Sequence, residues 1–414
     1  MKQISRPLFA IFSALLALLL ALPADAAKNS KPRKAKIKAV SYNLYLGADI
    51  YRVFDPPLCG TAQAVHDIHT IIQQTNFPER AEAIADQIMM QEPHVIGLQE
   101  VSLLRTQFPG NSLAPDGSGI EFLGDFPTDP RFTFKLDATN VQYDFLQILL
   151  DALAARGMDY VTVEAASPVN ADVEFPAIEF DEFCNQQGLP TDVRLTDRDV
   201  ILVRSDLQVN LALRDKFEFN APIELPAMIP TPGGLVPALY VTEFFRGWGM
   251  IDLTIKDQSY QIVNTHLEIG NSALPSDQEL NLVQALQATE LGLLTLTLQP
   301  PFLVMGDINS SPGSLLTDPR PAFAILSGFP LEDLWTLRSP MYTDPGYTFG
   351  QNETVDNAES LMFERIDYVF ANFGDLEPDK IKVEVLGADE ADKTPSGLWP
   401  SDHAGVAVKL SFEK

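Results

Sequence analysis

Two polar residues at the end of an apolar run set the chemistry to look for. In FLVMGDINSSP (302–312), four apolar residues have the composition of a buried strand, and Gly306 releases the chain into Asp307, Ile308 and Asn309. A carboxylate and a carboxamide two residues apart can present oxygens to one ion or phosphate. Asp307 would be a metal ligand or a water-orienting base, and Asn309 an amide that accepts from or donates to phosphate. Such a run is also an ordinary way to leave a sheet, so its weight comes from recurrence. Glu100 follows the apolar IGLQ, His266 follows VNT, and Asp367 lies within ERIDYVF. Asp402 and His403 stand together before a last strand, and Asn43 interrupts SYNLYLG. Each alone has a structural reading: a salt bridge for Glu100, a cross-strand hydrogen bond for Asn43, an exposed turn for Asp402 and His403. Arg198, beside DVILV, can grip a phosphate oxygen or form a surface ion pair with Asp197 or Asp199.

Polar groups of catalytic type at so many strand ends imply one shared pocket, because a sheet delivers its strand termini to a common edge. Asn43, Glu100 and Asp402 offer hard oxygens suited to Mg²⁺ or Mn²⁺. His403 with Asp367 forms a dyad able to take a proton from water or to stabilise charge on phosphate. His266 can give a hydrogen bond or a proton to a leaving oxygen. These are the parts of metal-assisted phosphoester hydrolysis. The chain has no Walker loop, no GxSxG elbow and no GxGxxG after a strand.

The elements that must position these residues follow from periodicity. Residues 37–46 alternate as a half-buried strand. Ala81, Ile84, Ala85 and Ile88 form one stripe of a helix over 78–91, and Phe145, Ile148, Leu149 and Leu153 one face of a helix over 141–156. Residues 249–255 and 261–263 form a hairpin leading to His266, and a helix over 276–291 opens with Ser276 as N-cap and Glu279 closing a capping box. Residues 102–139 and 164–197 are expected as long irregular excursions, and 222–237 as an extended arm.

The totals bound the class. The chain has 414 residues, 46% hydrophobic and 21% charged, which suits a globular protein with a large core. A net charge of -27 disfavours nucleic acid as a partner, since that grip rests on Lys and Arg neutralising phosphates. Lys2 and Arg6 precede an apolar run over 8–22 that is followed by Ala24-Asp25-Ala26, the pattern of a cleaved signal peptide over 1–26. The expected protein is therefore secreted or periplasmic, with a flexible leader over 27–36. A single domain would span 37–414, with insertions near 102–139, 164–197 and 218–240. In such an oxidising compartment Cys59 and Cys184 are expected to form one disulfide.

In order along the chain, SYNLYLG, IGLQEV, VNTHLE, GDINSSP, RIDYVF and WPSDHAGV resemble the motifs of the endonuclease/exonuclease/phosphatase superfamily. The resemblance spans about 37–412. It implies an α/β four-layer sandwich, two packed and mainly antiparallel β-sheets with helices outside, and a Mg²⁺-dependent phosphodiesterase or phosphatase site at one sheet edge. It places Asn43, Glu100 and Asp402 at the metal, and His266 at the phosphate and leaving group. Asp307 would orient the attacking water, Asn309 would hold phosphate, and Asp367 would orient His403. Abasic-site endonucleases carry an acidic residue two places after the first-strand Asn; here that place is Tyr45. The leading expectation is a secreted phosphodiesterase acting on a phospholipid, sphingomyelinase-like, or on a small phosphodiester, with a membrane lipid surface as a partner. A secreted nuclease and a non-catalytic binding protein on the same scaffold are the alternatives.

Overall fold

The computed structural model describes residues 35–412 apart from 54, 55, 57, 221, 232, 233, 271–276 and 339–342. The expected signal peptide, most of the leader and the expected cap Ser276 lie outside the described residues.

Apolar, β-branched-rich runs make the two central sheets. The first has the order β19 (Lys380–Leu386), β20 (Gly405–Phe412), β1 (Ala35–Asn43), β2 (Val95–Gln99), β10 (Val200–Arg204) and β7 (Tyr160–Thr162). The second has the order β11 (Gln208–Lys216), β14 (Gly247–Ile255), β15 (Gln258–His266), β16 (Phe302–Asp307), β18 (Asp367–Asn372) and β17 (Glu332–Asp333). Both are antiparallel except for one parallel pair each, β1 with β2 and β15 with β16. Ile37, Ala39, Val95, Ile201 and Val203 of the first sheet meet Ile251, Leu253, Ile262, Leu303 and Met305 of the second in one core. The intervening residues face the other way, so strands such as β2 and β16 are buried on both faces. Each such aliphatic side chain contributes on the order of 1.5–3 kcal/mol by leaving water.

Helices supply the outer layers. On the first sheet lie α2 (Phe77–Gln91) and α3 (Phe145–Ala155), where Ile84, Ile88, Leu149 and Leu153 cover Val40, Tyr42, Ile96 and Leu98. Phe77 and Phe145 stack with ring centroids 3.6 Å apart. On the second lie α4 (Asp277–Thr295) and α5 (Ala322–Leu326), through Ala288, Leu291, Ala322 and Leu326. The result is the expected four-layer sandwich.

The excursions differ from expectation. Residues read as irregular form two further four-stranded sheets. One has the order β6 (Asn140–Asp144), β3 (Leu103–Gln107), β9 (Thr191–Arg198) and β8 (Val169–Ala177). The other has the order β12 (Pro222–Thr231), β13 (Gly234–Glu243), β5 (Arg131–Phe134) and β4 (Ile120–Phe122). They share an aromatic core of Phe132, Phe134, Phe175 and Tyr240, covered by Val65, Ile68 and Ile72 of α1 (Thr61–Gln74). Four of these strands have five residues or fewer, β8, β12 and β13 carry an internal Pro, and pairings such as β3 with β9 join residues far apart along the chain. These breaks obscure the local alternation. The helix expected over 141–156 likewise yields its first turn to β6, which hydrogen-bonds β3. Cys59 and Cys184 are bonded, Cα atoms 5.3 Å apart across 125 residues, joining the segment before α1 to the turn between β8 and β9.

Candidate active site

Register brings the polar strand ends together. In the second sheet His266 lies beside Asp307 in the parallel ladder, and Asp307 lies opposite Asp367 in the antiparallel one. Gly306 permits this crowding: its φ is +148°, and a Cβ there would lie 1.9 Å from the Thr265 carbonyl oxygen. In the first sheet Asn43 ends β1 beside Gln99, and Glu100 follows. The Asn43 amide joins the sheets, its Nδ2 donating to Glu100 Oε1 at 3.0 Å and to Asp307 Oδ2 at 3.2 Å. Its Oδ1 accepts from the Tyr45 backbone N–H, and Glu100 Oε2 accepts from that of Leu46. Tyr45, Glu100 and Asn309 all have positive φ, a conformation that non-glycine residues adopt rarely and that here turns three strand exits into one pocket.

The two histidines are held in opposite states. His403 Nδ1 is 2.9 Å from Asp367 Oδ2, and its Nε2 is 3.8 Å from Asp307 Oδ2. Burial works against charge on His403, but Asp367, Asp402 and Asp307 outweigh it and hold the imidazole well above its ordinary pKa. His266 is held well below the ordinary value by burial, with Arg246 and His403 adding. Arg246 Nη1 lies 3.0 Å from His266 Nδ1. A guanidinium only donates, so Nδ1 accepts and the single proton of neutral His266 sits on Nε2. That Nε2 is 3.5 Å from Asp307 Oδ2 and 3.2 Å from Asn309 Nδ2. Asn309 Nδ2 donates to the Leu267 carbonyl, and the Asn309 backbone N–H donates to Asp307 Oδ1 at 2.8 Å.

The donor set fits a hard divalent cation. Asp307 is pushed up to about 7 by burial, with Asp367 adding. Asp402 is pushed up to about 7 by burial, opposed by His403 and reinforced by Glu100. Asp307, Asp367 and His403 each offer a ligand atom within 4.8 Å of the others, and the buried Asp367 Oδ1 has no partner among the described residues. Protonated His403, hydrogen-bonded to Asp367, is a poor ligand. The oxygens of Glu100, Asp307, Asp402 and Asn43 are the suitable ones, and a cation among them would relieve the repulsion.

One expected residue is elsewhere. Arg198 donates to the Val101 carbonyl at 3.0 Å and to Asp144 Oδ1 at 2.8 Å, so its guanidinium serves the junction of β2 and α3, not a phosphate. The ion-pair reading holds, with Asp144 in place of Asp197 or Asp199. Sequence reasoning passed over Arg246, though the hairpin carried a signal: counted back from its turn, His266 pairs with Gly247, next to Arg246. It also passed over Asp199, fully buried with Oδ1 3.9 Å from His266 Nδ1 and held well above the carboxylate range by burial and Asp197.

A sandwich of two sheets whose shared edge gathers carboxylates, carboxamides and two unlike histidines defines a phosphoester-hydrolase architecture. Residues 40–403 match the model of the Endonuclease/Exonuclease/phosphatase family, and the chain belongs to that family, whose members are hydrolases acting on phosphoesters. Among solved structures, an endonuclease/exonuclease/phosphatase from Beutenbergia cavernae DSM 12333 is similar at 17% identity and TM-score 0.47, covering 91% of this chain and 72% of that one. TDP2 from C. elegans is similar at 13% identity and TM-score 0.45, covering 91% and 75%. D. rerio TDP2 complexed with a single-strand DNA product is similar at 15% identity and TM-score 0.43, covering 92% and 100%. No curated protein matches the chain.

Proposed function

We propose that this chain is a secreted phosphodiesterase dependent on Mg²⁺ or Mn²⁺, with a phospholipid headgroup ester or another small phosphodiester as substrate. The observation that carries the reading is the pair of buried histidines on either side of Asp307, His403 hydrogen-bonded to Asp367 and His266 to Arg246. Asp307, desolvated beside His266 and His403, accepts a proton from water near neutral pH. His403, cationic and oriented by Asp367, offers positive charge to the phosphoryl oxygens. Neutral His266 presents its Nε2–H, and Asn309 its amide, as donors to phosphate or to the leaving oxygen. A divalent cation bound by Glu100, Asp402 and their neighbours would supply Lewis-acid charge at the phosphoryl group.

Charge and surface support a small or lipid substrate over a polynucleotide. Cations around the site are already matched: Arg52 with Glu353, Arg246 with Glu268 and Arg320 with Glu364. Exposed apolar residues flank the catalytic loops, with Leu315 and Leu316 after Asn309 and Leu361 and Phe363 before Asp367. The bidentate Arg320–Glu364 pair ties these two loops to each other. An apolar rim beside a phosphoester site suits contact with a bilayer surface.

Hydrolysis of sphingomyelin vesicles, a soluble chromogenic phosphodiester and DNA, each with Mg²⁺ and with EDTA, tests the reading. Metal-dependent turnover of lipid and chromogenic ester is expected, with little on DNA. Leu316→Glu with Phe363→Glu should lower turnover on vesicles about tenfold and leave the soluble ester unchanged. Preference for DNA would make the protein a nuclease, and silence on every substrate would make it a binder. A mature N-terminus near residue 27 in the exported protein tests secretion.

A further inference from the structure

A second set of carboxylates lies in the insertion sandwich, outside the site described above. Asp137, Glu174 and Asp192 each offer an oxygen within 4.8 Å of the others. Glu174 on β8 and Asp192 on β9 share one face of an antiparallel pair, and both are fully buried. The arginines on that face make their hydrogen bonds to other groups among the described residues. Arg194 holds Asp172 through two bonds of 2.8 and 2.6 Å, and Arg105 also reaches Asp172.

The hydrogen bonds that reach the trio cover only some of its oxygens. Asp192 Oδ2 accepts from the backbone N–H groups of Asn111 and Ser112, and Glu174 Oε2 accepts from that of Ala138. Asn111 Nδ2 donates to Asp137 Oδ2 at 3.0 Å. Glu174 Oε1 and Asp192 Oδ1 have no partner among the described residues. The same holds for the neighbouring Asn111 Oδ1 and for Ser112 Oγ, whose residue is buried. Four buried oxygens without donors around three carboxylates would be costly as they stand. Burial, with Asp137 and Asp192 adjacent, pushes Glu174 up to about 7.

We infer that this cluster is a structural Ca²⁺ site, separate from the catalytic one. The set is oxygen only, which excludes the softer metals. It combines three carboxylates with an amide and a hydroxyl oxygen, a mixed donor set that suits the six to eight flexible ligands of Ca²⁺ better than the strict octahedron of Mg²⁺. The ligands come from the loop after β3, the segment after β5, and strands β8 and β9. One ion would thus pin the loops of the insertion onto its sheet.

The test uses the full secreted chain stripped of metal, with thermal unfolding and calorimetric titration against Ca²⁺ alone. Saturating Ca²⁺ should raise Tm by roughly 5 °C, and Glu100→Gln, which disables the catalytic site, should keep that rise. Glu174→Gln should lose it while melting in EDTA no lower than the parent chain, since it removes a repelling charge, and should keep phosphoester hydrolysis. Asp137→Asn, on a half-buried residue, should weaken Ca²⁺ binding tenfold or more. No Ca²⁺-dependent rise in the parent chain, or an undiminished rise and unchanged affinity in Glu174→Gln and Asp137→Asn, would overturn the assignment.

Discussion

At the residue scale, His266 and His403 differ only in what surrounds them. Asp367, Asp402 and Asp307 favour the imidazolium at His403, whereas Arg246 and burial forbid it at His266. His403→Ala should therefore cost roughly a hundred-fold or more in kcat. Asp367→Asn should cost a comparable amount with little change in KM, because it leaves the ring in place without the charge that holds its proton. Arg246→Met should free Nδ1 of His266 to carry a proton, visible as a mixture of ring tautomers by ¹⁵N NMR and as a fall of about tenfold in kcat. An unchanged tautomer in that variant would rule out Arg246 as the positioning residue.

At the element scale, a few buried polar side chains fasten the strand exits. Arg80, on the sheet-facing side of α2, is fully buried and donates to four carbonyls: Thr75, Leu44 and Pro400 at 2.8 Å, and Tyr45 at 3.2 Å. It thereby holds the exit of β1 and the segment before Asp402 against one helix. Arg80→Met should destabilise the fold by on the order of 3–5 kcal/mol, because the carbonyls stay buried without donors. Arg80→Lys should not rescue it, since one ammonium cannot replace a planar fork, and urea unfolding of the two variants checks both points. Deeper between the sheets, Asn264 of β15 accepts from Gln99 Nε2 at 2.7 Å and donates to the Leu98 carbonyl. Gly97 makes that bridge possible: a Cβ there would lie 2.3 Å from Asn264 Oδ1. From the other side, buried Gln284 of α4 donates to the carbonyls of Glu268 and Asn309, steadying the loops after His266 and Asp307.

At the scale of the whole molecule, the candidate active site belongs to the central sandwich and the inferred Ca²⁺ cluster to the smaller one. At the far end of β2 from Glu100, His94 Nδ1 accepts from the Lys38 backbone N–H at 3.0 Å. Burial, with Arg204 and Lys38 adding, lowers its pKa to about 4. The unfolded chain binds that proton near the ordinary value of about 6.5, so between pH 6.5 and 4 unfolding takes up a proton and stability falls as pH falls. The difference in Tm between the parent chain and His94→Gln should therefore shrink or reverse as pH drops through this window. A difference that stays constant from pH 7 to 4 would show that His94 is not the group responsible.

The sequence alone indicated most strands of the central sheets, the longer helices that cover them and most of the polar side chains that meet at the candidate site. Each of those signals is local: period-two alternation, a 3.6-residue stripe, a polar residue where a buried strand ends. Tertiary structure alone decided that Arg198 serves a structural junction, that Arg246 meets His266 Nδ1, and that the excursions form a sandwich of their own. These depend on pairings such as Asn43 with Asp307, 264 residues apart, and β3 with β9. They depend also on charge states set by burial. No short window of residues carries either kind of information.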